Sequence, residues 1–159
     1  WLAGMRAKLG LVGATAGDAA ANTTGDAVSD VVVAELAADL LQHLRDTGAD
    51  YTSSFRALAA VAAGSPRLAD AEFEPPADWL SRWLGLGPDV EAMNRVNPVY
   101  IPRNQLLDAA LEAATEGELG PFERLLGFVT HPFDEQPGGE ECALPAPPES
   151  DHFVTYCGT

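Results

Sequence analysis

The sequence predicts an all-α chain, and three observations carry that prediction. Val32, Leu36, Leu40 and Leu44 recur at four-residue spacing with Val33, Ala37 and Leu41 beside them, the wide apolar stripe of an amphipathic helix. Shorter apolar-periodic stretches follow between residues 50 and 132, each bracketed by Gly, Pro or Asp, the residues that start and stop helices. No stretch reads as a strand of a sheet.

The elements are justified in order. Met5-Arg6-Ala7-Lys8-Leu9-Gly10-Leu11 reads as the last turns of a helix ending at Gly10, with its cations where the helix dipole favours them. Residues 13–27, rich in Gly, Ala, Thr and Asp and without periodicity, read as a flexible insertion. The long amphipathic helix starts at Ser29 or Asp30 and is closed by Gly48. Asp50 is placed to cap a second helix carrying Phe55, Leu58 and Val61, which stops by Gly64-Ser65-Pro66. Residues 65–76 form a loop, after which Asp78 is expected to cap a short helix bearing Trp79, Leu80, Trp83 and Leu84. Pro88 at the first helical position is expected to open another over 88–95, broken at Asn97-Pro98 because a residue before proline disfavours the α region. A helix from about Pro102 to Thr115 should turn Leu106, Leu107, Ala110, Leu111 and Ala114 to one side. A last one opens at Gly120-Pro121, with Phe122, Leu125, Leu126 and Val129 facing inward, and ends before Pro132. The expected organisation is therefore a helical segment over 1–133 and an irregular tail rich in Pro, Gly and acids over 134–159.

Composition excludes several functions. A chain of 159 residues with 47% hydrophobic and 21% charged residues is long enough for a buried core and is neither disordered nor fibrous. No apolar run reaches the roughly 18–20 residues needed to span a bilayer. A formal charge of −15, from 24 acidic and 9 basic residues, repels phosphate backbones and anionic lipid, so neither nucleic acid nor a membrane is expected as partner. The first residues, Trp1-Leu2-Ala3-Gly4-Met5-Arg6, lack the pattern of a secretory leader and an initiator Met, and the chain is expected to be a piece of a longer one. Cys142 and Cys157 are too few for a disulfide scaffold and wrongly spaced for zinc, so a reducing, cytoplasmic setting is expected.

Candidate motifs are sparse. The glycines between 10 and 17 are not followed by Lys-Ser/Thr and come after a helix, which argues against a phosphate-binding loop. His43, His131 and His152 share no metal-ligand spacing, and no Gly-x-Ser-x-Gly elbow occurs. The tail carboxylates Glu135, Glu140, Glu141, Glu149 and Asp151 read as a solvated run. Cys157, two residues from the end, is the one side chain whose position makes it reachable by another thiol or an oxidant.

A set of short motifs occurs in order along the chain. These are Met5 to Leu11; Asp50-Tyr51-Thr52 with Phe55-Arg56; Met93-Asn94-Arg95-Val96-Asn97-Pro98; Arg103-Asn104; Pro132-Phe133; and the Pro-rich tail ending Cys157-Gly158-Thr159. The succession resembles the C-terminal region of the SelO family of protein adenylyltransferases from one end of the chain to the other. That resemblance implies a kinase-like α+β fold in the full-length protein, of which this segment supplies C-terminal helices. It implies transfer of AMP from ATP, with Mg2+ or Mn2+, to Ser, Thr or Tyr hydroxyls of other proteins. The family's nucleotide and metal ligands lie upstream of every residue here, so no catalytic, cofactor-binding or metal residue is expected in this segment. The segment alone is expected to be inactive and to contact the kinase-like part intramolecularly.

Only Cys157 carries a family role. The resemblance implies a redox-regulatory thiol able to form a disulfide with a cysteine in the kinase-like part. The family ending is commonly Cys-Ser-Ser, whereas Tyr156 and Gly158-Thr159 flank the cysteine here. Asn97-Pro98 and Arg103-Asn104 are expected to be structural. The alternatives are a stand-alone α-helical interaction module without catalytic activity, and a thiol redox sensor in its own right.

Overall fold

A computed structural model of the chain describes residues 1–12, 28–65 and 73–147. The expected insertion at 13–27, part of the 65–76 loop and the tail from 148, Cys157 included, lie outside the described residues. Among the described residues the chain is helical, with no strand. Eight helices follow in order: α1 (Leu2–Lys8), α2 (Asp30–Thr47), α3 (Tyr51–Ala62), α4 (Ala77–Leu84), α5 (Val90–Val96), α6 (Asn104–Thr115), α7 (Gly120–Thr130) and α8 (Glu140–Ala143). They form two compact units, Trp1–Asn97 and Pro98–Thr159.

In the first unit the apolar stripe of α2 is the centre. Val33, Leu36, Ala37, Leu40 and Leu44 are buried, joined by Leu9 and Leu11 after α1, Phe55 and Leu58 of α3, and Trp79 and Trp83 of α4. Ser29 caps α2 through its side chain, and Gly48 ends it in the left-handed conformation that a Cβ disfavours. Asp50 caps α3 by accepting from the Ser53 amide at 2.8 Å. Two buried indoles are satisfied by carbonyls on distant elements: Trp79 Nε1 donates to Leu36 O and Trp83 Nε1 to Leu9 O, each at 2.9 Å. Each bond offsets the penalty of burying an indole N–H.

Two expected starts are corrected. Pro76, not Asp78, is the cap residue of α4: its carbonyl takes the first helical bond from Leu80, and Asp78 sits inside the first turn as a charge favourable to the dipole. Pro88 does not open α5, because Asp89 is its cap and accepts from the Ala92 amide at 2.9 Å.

The second unit pairs α6 with α7 across the short link 116–119, around buried Tyr100, Ala110, Leu125, Phe128 and Cys142. Leu106, Leu107, Phe122 and Val129 pack partly buried against them. Leu126, expected to face inward, is 46% exposed, and Leu111, expected on the same side of its helix as the buried Ala110, is 48% exposed. α6 begins at Asn104, with Arg103 as its cap residue, two positions later than expected, since Arg103 is still extended. The stretch expected to be irregular contains α8, and its Cys142 belongs to the core.

Candidate functional site

Three of the motifs meet in the first unit, at Asn97. The residue follows the last turn of α5, where Pro98 stops the helix, and its side chain is fully buried. It clasps the end of α1 twice: Asn97 Nδ2 donates to the Lys8 carbonyl at 2.9 Å, and Lys8 Nζ donates to Asn97 Oδ1 at 3.1 Å. From α3, Arg56 donates to Asn94 Oδ1 at 2.9 Å and to the Asn97 carbonyl at 3.4 Å. The Lys8 ammonium also lies 5.0 Å from the ring centre of Phe55 and 5.2 Å from that of Tyr51. Burial pushes the Lys8 pKa below the ordinary lysine value and that of Tyr51 above the ordinary phenol value.

A second contact binds the same elements. Gly10 turns with φ 68°, and its carbonyl accepts from the Asp89 amide at 2.9 Å, so the chain leaving α1 lies against the start of α5. Arg6 donates to the Leu11 carbonyl and pairs with Asp30 at 2.6 Å, tying α1 to the start of α2. The cations of the first motif are thus engaged in holding helices together. The expected structural role of Asn97 is met in a more central form than a turn residue.

In the second unit, Tyr100 anchors the segment after α7. Its hydroxyl accepts from the Gln136 amide at 2.8 Å and donates to the Gln136 carbonyl at 3.3 Å. The Pro132 carbonyl of the Pro132-Phe133 motif accepts from the amides of Val99 and Tyr100. Arg124 donates to the Gly138 carbonyl at 2.7 Å, and the Glu140 carboxyl is held below the usual range by its own backbone N–H and then by the Gly138 amide, from which it accepts. This turn delivers Cys142, a free thiol, into the core. Burial raises its pKa, outweighing the lowering by the nearby Arg124 charge. Nothing in the tail's composition signals that core position. A single cysteine among Gly, Pro and Glu has no periodicity to reveal burial.

The one site residue expected from sequence, Cys157, lies outside the described residues. Among those described, no three His, Cys, Asp or Glu gather as a metal would need. His43 on α2 meets the Phe73 ring edge-on, with ring centres 6.0 Å apart, and His131 follows the end of α7. No helix of the described residues is long and apolar enough to cross a membrane.

No family model matches the chain. Among curated proteins it is similar to protein nucleotidyltransferase YdiU of Mycolicibacterium paratuberculosis, 43% identical over 169 residues, covering all of this chain and 31% of that protein. It is 46% identical over 160 residues to the protein of that name from Mycobacterium sp. (strain KMS), covering 99% of this chain and 30% of the relative. It is 44% identical over 164 residues to that of Cereibacter sphaeroides (strain KD131), covering the whole chain and 31% of the relative. The chain spans about three-tenths of the length of the curated relatives it matches.

Proposed function

This chain belongs to the SelO family, as a match to the C-terminal part of its YdiU members, and we propose that it completes an enzyme that transfers AMP from ATP to Ser, Thr or Tyr hydroxyls of proteins. The observation that carries this reading is the whole-chain identity of 42–46% to proteins named protein nucleotidyltransferases. The interlock of α1, α3 and α5 supports a buttressing role, since those motif residues bind one another. A kinase-like part outside this chain would hold ATP and Mg2+ or Mn2+. Among the described residues no three His, Cys, Asp or Glu gather as a metal would need, and Arg6 and Lys8 are engaged in contacts between helices. Nucleotidyl transfer needs charge clamps on the phosphates, so this segment alone neither binds ATP nor transfers AMP.

Cys157 is the redox-regulatory thiol in this reading, pairing with a cysteine of the kinase-like part, and the setting is cytoplasmic. Its partners are substrate proteins, and the charge of −15 disfavours nucleic acid and anionic membranes. The test uses ATP labelled in its α-phosphate, with Mg2+ or Mn2+. Protein-bound label is expected with the full-length protein and none with the 159-residue chain. Label transferred by the segment alone, or none by the full-length protein, contradicts the proposal. Non-reducing mass spectrometry of the oxidised full-length protein should find Cys157 in a disulfide, and Cys157→Ser should remove redox sensitivity of the transfer while Cys142→Ser keeps it.

A further inference from the structure

The helices of the second unit carry more apolar surface than their own core uses. Ala110 of α6 and Leu125 and Phe128 of α7 are buried in that core. Beside them runs a second row on each helix: Leu107, Leu111 and Ala114 on α6, and Leu119, Phe122 and Leu126 from the cap of α7 onward. Both rows alternate spacings of three and four residues, the seam pattern of a helix that packs against another helix. Leu111, Leu119 and Leu126 are nevertheless 48%, 55% and 46% exposed, and Leu107, Ala114 and Phe122 are only half-buried.

The two rows lie on one flank of the α6–α7 hairpin. Leu111 directly follows the buried Ala110 and Leu126 directly follows the buried Leu125, so each is rotated equally, and in the same sense, from the core. The short link makes the helices antiparallel, and equal rotations on antiparallel helices come out on the same side. Counted from the link, the two leucines differ in height by about two residues, roughly 3 Å. The opposite flank is covered by the unit itself: Arg124, just before Leu125, donates to the Gly138 carbonyl at 2.7 Å. Asp108 on α6 and Glu123 on α7, both exposed, border the open apolar strip.

What covers the strip follows from size and charge. It is far smaller than the roughly 20–30 residues a side of a free-standing interface. A helix tethered in the same polypeptide needs no such area, because its effective concentration is high. A second copy would set like charge against like, since residues 98–147 hold nine carboxylates and two arginines. The chain covers 30–31% of the relatives it matches, so most of the length of such a protein lies outside it.

We propose that this flank of the α6–α7 hairpin is the docking seam for an amphipathic helix of the same protein, outside this chain. Its apolar face fills the groove between the two rows, and Lys or Arg on its edges meets Asp108 and Glu123. The inference rests on the proposed reading that this segment completes a longer enzyme, and it names the surface through which the segment does so.

The test places photoreactive benzoylphenylalanine at position 126 of the full-length protein. Irradiation should join it to one helix outside the 159-residue chain, within a single polypeptide. Cross-links between two polypeptides, cross-links confined to the 159-residue chain, or none at all overturn the proposal. Amide exchange gives an independent readout. Leu111→Asp/Leu126→Asp should speed exchange in α6 and α7 about tenfold or more in the full-length protein, and by less than about twofold in the 159-residue chain. Equal effects in both would make the leucines part of the unit's own packing and overturn the proposal. Asp108→Lys/Glu123→Lys should also speed exchange in the full-length protein at low salt, and no change would refute the basic edges. None of these readouts uses catalysis. A full-length protein that transfers no label from ATP sinks the enzyme reading alone, whereas label transfer without the cross-link sinks the docking seam alone.

Discussion

At Gly10 two demands coincide. The backbone is left-handed, with φ 68°, and a Cβ there would lie 2.9 Å from the backbone N and O of Asp89 and 2.8 Å from Met93 Cγ. The side chain of Met93 could move, but the Asp89 backbone carries the cap of α5 and cannot retreat cheaply. Gly48 has nearly the same φ, 70°, with nothing within 4 Å of the added atom. Gly10→Ala should therefore cost on the order of 3 kcal/mol, against about 1 kcal/mol for Gly48→Ala, which bears only the backbone term. Urea unfolding of the two variants checks the difference, and equal midpoints would show that the close approach to α5 is not what Gly10 provides. Asn97 makes the same point about legibility. Its place before a proline indicated a helix end, but nothing in a single sequence distinguishes a buried asparagine that clasps another helix from an exposed one that turns.

At the scale of elements, helices that carry their own stripe and caps were readable and those started by tertiary contact were not. Ser29 and Gly48 frame α2 where periodicity and capping agree. Pro88 reads as the start of α5 from sequence, while the structure uses Asp89, whose side chain caps the helix and whose amide donates to the Gly10 carbonyl. Asp89→Ala should accordingly cost about 1 kcal/mol as a lost cap. Asp78→Ala, which removes only a first-turn charge from α4, should cost roughly 0.3–1 kcal/mol and lose most of that in high salt. Thermal unfolding at low and high salt separates them: the Asp89 effect should persist, and an Asp89 effect that vanished with salt would reduce its role to charge. Leu111 and Leu126 show the other limit, since a leucine beside an apolar stripe reads as part of it even when the neighbouring helix covers a narrower face. α8 is not legible in the sequence because four residues between Gly139 and Leu144 are too few to display a period, and Tyr100 and Arg124 hold the turn before it.

At the scale of the whole molecule, the two units differ in what holds them. Among the described residues the first has sixteen buried apolar residues in its core, with both indole N–H groups satisfied, and the second has five. Charge widens the gap. From 98 to 147 nine carboxylates face only Arg103 and Arg124, and a single-sign field opposes compaction. Small cores are marginal, so the second unit should open at a lower free energy than the first. Native-state amide exchange should find α6 and α7 exchanging faster than the buried turns of α2 and α3. Added salt should slow exchange in α6 and α7 more than in α2, because screening relieves repulsion where the net charge is greatest. Equal protection in the two units, or a salt effect of the same size in both, would mean that they unfold as one cooperative body.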